Sequence, residues 1–162
     1  NNDAVGFLAK ITKEFDCKFI HISTDYVFSG EQGMYTESDA VLPQNKYAWS
    51  KLGGEAALQM LDNYVIIRLS FGPDTFPYKA AFTDQYTSRE SASGISEKIK
   101  NIVLSDFKGL IHIGADRKSV YDYALSLGAE NIEKISIKDM SVKMPKDTSL
   151  NTNLYKSLFN EL

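Results

Sequence analysis

Cysteine is almost missing from this sequence. Cys17 is the only one in 162 residues. A lone cysteine excludes an internal disulfide framework and suits a reducing compartment. A buried, inert thiol is expected. Long apolar runs are missing as well. Stretches such as Tyr64-Val65-Ile66-Ile67 are far too short to cross a bilayer. The first residues, Asn1-Asn2-Asp3-Ala4, lack the basic stretch and apolar core of a signal peptide, and a cytoplasmic protein is expected. There is no excess of positive charge: 18 Lys and Arg stand against 21 Asp and Glu, a formal net charge of −3. No overall field draws in nucleic acid or an anionic membrane. The two histidines, His21 and His112, sit in apolar stretches with no second ligand at metal spacing, so both are expected to be structural and no metal is expected. Glu31, Glu37 and Asp39 read as a solvated acidic loop. No repeat or low-complexity tract appears.

What is present is the balance of a globular protein, 43% hydrophobic and 24% charged. From Asp3 to Phe15, apolar residues recur at Val5, Leu8, Ile11 and Phe15, which predicts an amphipathic helix with Asp3 as N-cap. Lys18 to Ser23 reads as a strand, Tyr47 to Leu61 as a helix with Leu52, Ala56, Ala57, Met60 and Leu61 at helical spacing, and Tyr64 to Leu69 as a second, buried strand. This order predicts an α/β fold: parallel strands joined by crossover helices, with both faces of the sheet covered. Beyond Gly72, Pro73, Pro77 and a run of aromatics indicate loop and short irregular elements. Further on come a helix over Gly94 to Leu104 capped by Ser93, a strand at Leu110 to Ile113, a helix over Ser119 to Leu127 capped by Ser119, a strand-like patch at Ile135 and a last short helix.

Two groups of residues carry chemistry. Tyr47 and Lys51 stand at i and i+4 and share a helix face. An ammonium beside a phenol stabilises phenolate, and such a tyrosine can exchange a proton with a substrate oxygen. On spacing alone, a surface Tyr–Lys pair is the commoner meaning. Ser23-Thr24-Asp25-Tyr26 lies just past the first strand, at the sheet edge where ligands collect in open parallel sheets. There Thr24 can hold a carbonyl or hydroxyl. Plain turn chemistry is the alternative.

The longer string joins them. His21-Ile22-Ser23-Thr24-Asp25-Tyr26-Val27-Phe28-Ser29-Gly30, then Tyr35-Thr36-Glu37, Pro43, Asn45, Tyr47, Ser50-Lys51-Leu52 and Gly54-Glu55, resembles the extended short-chain dehydrogenase/reductase superfamily, and within it the dTDP-4-dehydrorhamnose reductase-like branch. The resemblance implies part of a Rossmann-type sheet with a small substrate-binding subdomain. It implies reduction of a nucleotide-linked 4-keto sugar with NAD or NADP. The catalytic triad falls on Thr24, Tyr47 and Lys51. Tyr47 would protonate the C4 oxygen, Lys51 would lower its pKa and bond the nicotinamide ribose, and Thr24 would orient the oxygen. Ser23, Ser70 and Phe71 fall at the cofactor, and Asp25 and Tyr26 at the sugar. Arg89 is a candidate for a substrate phosphate, against the commoner exposed surface arginine. A regulatory, sugar-nucleotide-binding subunit and an epimerase of the same fold remain alternatives.

The family's opening strand and G-x-x-G-x-x-G turn have no counterpart in these residues. The chain is therefore expected to be a piece of a longer protein, beginning near the family's fourth helix, and to bind NAD(P) poorly by itself. Residues 1–72 and 108–128 are assigned to the nucleotide-binding domain, and 73–107 and 129–162 to the small subdomain. Relatives build a homodimer from the helices at 3–15 and 47–61. Here the outward faces are expected to carry Lys10, Lys13, Glu14, Glu55 and Gln59, which is polar for a large obligate interface.

Overall fold

A computed structural model describes residues 2–15 and 17–159. The chain opens with helix α1 (Asn2–Glu14) and strand β1 (Phe19–Ile22). After a single 3-10 turn at Asp25–Val27 and a long loop come α2 (Lys46–Leu58) and β2 (Tyr64–Leu69). Short strands follow: β3 (Phe71–Gly72), β4 (Ala80–Phe82), β5 (Tyr86–Thr87) and β6 (Glu90–Ser91). Then come α3 (Ala92–Val103), β7 (Gly109–Ile113), β8 (Lys118–Ser119), α4 (Val120–Ser126), β9 (Glu133–Ile135) and α5 (Asn153–Phe159).

Strands β1, β2 and β7 form one parallel sheet in that order, with Ile22 opposite Ile67 and Leu69 opposite Ile113. The short strands pair as β3 with β6, β4 with β9 and β5 with β8. Residues along β2 alternate between two faces, as the period of a strand requires. Val65, Ile67 and Leu69 join Ile111 and Ile113 of β7, Ile95 and Ile102 of α3 and Tyr155 of α5 in the main core. Ile66 packs on the other face with Ala9 of α1 and Leu58 of α2. The α/β sheet predicted from sequence is therefore present and covered on both faces.

Several local expectations change. Helix α1 already starts at Asn2, one residue ahead of the predicted cap, and the Asp3 side chain lies outside the described residues. Val5 and Ala9 face the core, while Phe15 and Leu8 are exposed, because the seated stripe runs along i and i+4. Helix α2 stops at Leu58, which leaves Met60 outside it and exposed. Ser91, not Ser93, caps α3 by accepting from Gly94 N at 3.2 Å; Ser93 N donates instead to Asp74. The segments 92–103 and 153–159 were assigned to the small subdomain. Their apolar residues instead close the second face of the sheet. Cys17 is exposed, since it precedes β1 at the sheet's outer end rather than entering the core.

A C-terminal segment ties the loop after β1 to the rest. Asp147 N donates to Gly30 O, Tyr35 N donates to Ser149 O, and Thr148 N donates to Tyr86 O. Gly33 sits at φ +75° against Asp147, where an added Cβ would stand 2.1 Å from the carboxyl carbon. Asp147 cannot easily withdraw, because Arg117 Nε and Ser149 Oγ both bond it. Gly33→Ala is expected to lower stability by about 3 kcal/mol, from left-handed strain plus displacement of that carboxylate. An unchanged urea midpoint would refute this account.

Beneath the same loop, Phe28 and Tyr35 stack at 4.3 Å, and His112 meets Phe28 edge-on. His112 Nδ1 lies 3.0 Å from the Tyr35 carbonyl, so the neutral ring carries its proton there. Burial, then the nearby Arg68 charge, lowers the His112 pKa from 6.5 to about 4. Between those values the unfolded chain binds a proton that the folded one refuses, so stability rises with pH and is lost on acidification. The loss is about 3 kcal/mol from about pH 7 to about pH 4. Unfolding midpoints at the two pH values should differ in wild type and converge in His112→Gln, and equal slopes in both would discard the assignment.

Candidate active site

The carboxyl ends of β1 and β2 open side by side, and the chain leaves each by a polar residue. From β1 it passes through Ser23 and Thr24 into the 3-10 turn. Thr24 caps that turn, its Oγ1 accepting from Tyr26 N at 3.2 Å. From β2 it passes through Ser70 to Phe71. Helix α2 begins opposite these ends. Asn45 caps it, accepting from Ala48 N at 2.8 Å, and this fixes the first turn that carries Tyr47. Tyr47 and Lys51, one turn apart, then lean over the strand ends.

The result is a crevice of about 170 Å³. Thr24, Tyr47 and Lys51 all line it, and so do Ser23, Asp25, Tyr26, Ser70, Phe71 and Arg89. Every site residue singled out from sequence therefore lies on one concave surface. They do not all present their side chains in the same way. The Ser23 hydroxyl is turned inward and donates to Glu55 Oε1, so it is committed to the core rather than free for a cofactor. The Asp25 carboxyl is buried and bonded to protein, with Thr148 Oγ1 donating to its Oδ2 at 2.7 Å and Thr24 Oγ1 lying 3.1 Å from its Oδ1. Tyr47 is 54% exposed, which leaves its phenol open to a ligand.

Arg89 is not a free surface arginine. It is half-buried, its Nε lies 3.5 Å from Ser70 Oγ, and with Tyr26 it also borders a second cavity of about 470 Å³. That cavity is lined by Phe76, Tyr78, Phe82 and Tyr86, with Thr148 at its edge. The crevice and the aromatic cavity thus share a wall that holds one guanidinium.

Burial shapes the charges here. It lowers the Lys51 pKa, opposed by the nearby Glu55 carboxylate. It also raises the Tyr26 phenol. His21 is lowered by burial and then by Lys51, so it stays neutral behind the crevice.

Sequence reasoning missed two supports of the site. Glu55 was placed on the outward face of its helix. It is 1% exposed and forms a buried ion pair with Arg68 of β2, Nη2 to Oε2 at 2.7 Å and Nε to Oε1 at 3.0 Å. The available signal was Arg68 itself, a charge inside the apolar run Tyr64–Leu69, which demands a buried partner. Thr148 was missed altogether, and no local pattern marks it.

Among the described residues, no helix is long and apolar enough to cross a membrane. Residues 1–82, just over half of the chain, match the family described as the RmlD substrate binding domain. A probable low-salt glycan biosynthesis reductase, Agl14, of Haloferax volcanii is 33% identical over 137 residues, 71% of this chain and 46% of its own. The dTDP-4-dehydrorhamnose reductase of Burkholderia thailandensis is 49% identical over 59 residues, 36% of this chain and 20% of its own. The chain thus spans less than half the length of these curated relatives. Among solved structures, a hypothetical dTDP-4-dehydrorhamnose reductase of Sulfolobus tokodaii superposes with a TM-score of 0.83 at 29% identity, over 97% of this chain and 64% of that one. The Bacillus anthracis dTDP-4-dehydrorhamnose reductase, in complex with NADP, shares the fold with a TM-score of 0.80 at 21% identity, over 96% and 63%. The TDYVF and SKLGGE strings, the parallel sheet and this agreement over the first 82 residues lead to one conclusion: the chain belongs to the RmlD substrate-binding-domain family.

Proposed function

We propose that the complete protein reduces a nucleotide-linked 4-keto sugar with NADH or NADPH. The observation that carries this reading is the meeting of Thr24, Tyr47 and Lys51 in one crevice that adjoins an aromatic cavity. A bound nicotinamide supplies the hydride that goes to C4. The protein's own residues handle the oxygen. Tyr47 donates its phenolic proton to the C4 oxygen as charge develops there. The Lys51 ammonium stabilises the phenolate that remains. Thr24 fixes the oxygen by a hydrogen bond, and the low-dielectric rim strengthens each of these contacts.

The crevice fits one end of the cofactor. At about 170 Å³ it is too small for a whole dinucleotide, and we assign its Ser70, Phe71, Tyr47 and Lys51 lining to the nicotinamide end. The pyrophosphate needs backbone N–H groups from a glycine-rich turn, which these residues do not supply. We place the sugar where the crevice meets the aromatic cavity, beside Tyr26 and Arg89, and the nucleotide against Phe76, Tyr78 and Tyr86, with Arg89 available to a phosphate. Residues 1–72 and 108–128, covered by α3 and α5, form the nicotinamide side, and the remaining segments form the sugar side. We place the protein in the cytoplasm, without nucleic acid or membrane; exposed Phe7 and Leu8 of α1 and Trp49 of α2 support pairing of two copies through these helices.

The test is direct. The complete protein, given a nucleoside-diphosphate 4-keto sugar, is expected to oxidise NADH or NADPH and yield the 4-hydroxy sugar in equal amount. Sugar binding without cofactor oxidation would replace this reading with a non-catalytic one.

A further inference from the structure

The hydrogen bonds around Asp25 can be counted, and the count has a consequence for Thr24. Asp25 is 2% exposed. One of its oxygens meets Thr148 Oγ1 at 2.7 Å and the other meets Thr24 Oγ1 at 3.1 Å. Thr24 Oγ1 also accepts from Tyr26 N. A hydroxyl has one proton and two lone pairs. If Asp25 were a carboxylate, both of its oxygens would accept, and Thr24 would have to give its proton to Asp25. Toward the crevice it would then show only a lone pair, which repels a carbonyl oxygen.

We propose that Asp25 is a positioning residue held as the neutral acid, whose O–H donates to Thr24 Oγ1 so that the Thr24 proton is free for the C4 oxygen of the substrate. This rests on the reduction proposed above. Thr148 donates to the remaining Asp25 oxygen, and Thr24 Oγ1 accepts from both Asp25 and Tyr26 N. Every donor and acceptor of the group then has a partner, with one proton left for the ligand. The surroundings favour this state. Burial is the largest influence and raises the Asp25 pKa, while the hydroxyls of Thr148 and Thr24, then the Arg89 charge and last the Asp25 backbone N–H, oppose it without prevailing. The titratable groups that share the crevice are Tyr26 on the same turn, Tyr47 and Lys51 on α2 and Arg89 just before β6. Among the described residues neither cation forms an ion pair with Asp25.

Infrared difference spectra between wild type and Asp25→Asn, on the complete protein near neutral pH, read the protonation state without any turnover. A protonated-carboxyl band present in wild type and absent from the variant is expected. Carboxylate bands in its place would overturn the proposal. Kinetics give a second arm. Asparagine offers an N–H to Thr24 and a carbonyl to Thr148, the same pattern as the neutral acid, so Asp25→Asn should keep kcat within about threefold. Asp25→Leu, which loses the donor that sets the Thr24 rotor, should lose about tenfold in kcat with KM nearly unchanged. An asparagine variant no better than the leucine variant would also overturn it. If the complete protein reduces no keto sugar, the proposed function fails, and the infrared band still decides the state of Asp25.

Discussion

Tyr47→Phe is expected to cut turnover by about 10²–10⁴-fold, the usual weight of a positioned general acid. The phenol reaches the crevice from the first turn of α2 and is 54% exposed, so deleting its hydroxyl opens no cavity and orphans no buried partner. Stability should therefore change by no more than about 0.5 kcal/mol. A catalytic role predicts a large loss in kcat at a constant melting temperature, with substrate still bound. A surface tyrosine predicts no loss. If the phenylalanine variant reduces the keto sugar at the wild-type rate, Tyr47 is not the acid, and the roles given to Lys51 and Thr24 fall with it.

Glu55→Ala carries the largest expected loss of stability, about 3–5 kcal/mol. The Glu55 and Arg68 side chains are 2% and 6% exposed, so removing the carboxylate strands a guanidinium in the core. Among the described residues, Arg68 Nη1 already lacks a partner, and Phe28 lies across its face at 5.1 Å. The Ser23 hydroxyl would lose its acceptor too. Such a loss is a large share of the total stability of an ordinary domain. The double variant Glu55→Leu/Arg68→Leu should recover most of it, because two packed apolar groups replace a pair whose desolvation was already expensive. If Glu55→Ala alone melts within a degree or so of wild type, the pair contributes nothing, and its place behind Ser23 is incidental. The recovered double variant also separates stability from function, since it folds without the carboxylate that anchors the residue next to Thr24.

The parts of the fold legible in the sequence are those whose cause is local. The apolar run Val65-Ile66-Ile67 reads as a strand buried on both faces, and the helix expected over Gly94 to Leu104 seats Ile95, Ile99 and Ile102 on the core. The crevice was legible for a different reason: the TDYVF and Tyr47-x-x-x-Lys51 strings mark two chain segments that a parallel sheet brings to the same rim. Glu55 was misplaced because a glutamate on a helix is usually solvated, and only its pairing with Arg68, thirteen positions on, reverses that expectation. Cys17 was misplaced because a thiol before a strand was given the burial of the strand itself. Thr148 and the closure of the sheet by α5 depend on contacts between distant parts of the chain, which no window of neighbouring residues records.

The bond from Thr148 to Asp25 spans 123 positions. Closing so long a loop is slow and entropically unfavourable until other contacts hold it, so such links form late in folding. The parallel pairing of β1, β2 and β7 with α1, α2 and α3 can form before that. Competence at the rim should accordingly lag behind the recovery of helical signal during refolding. A threonine 123 positions downstream thus completes the packing around Asp25 at the end of β1.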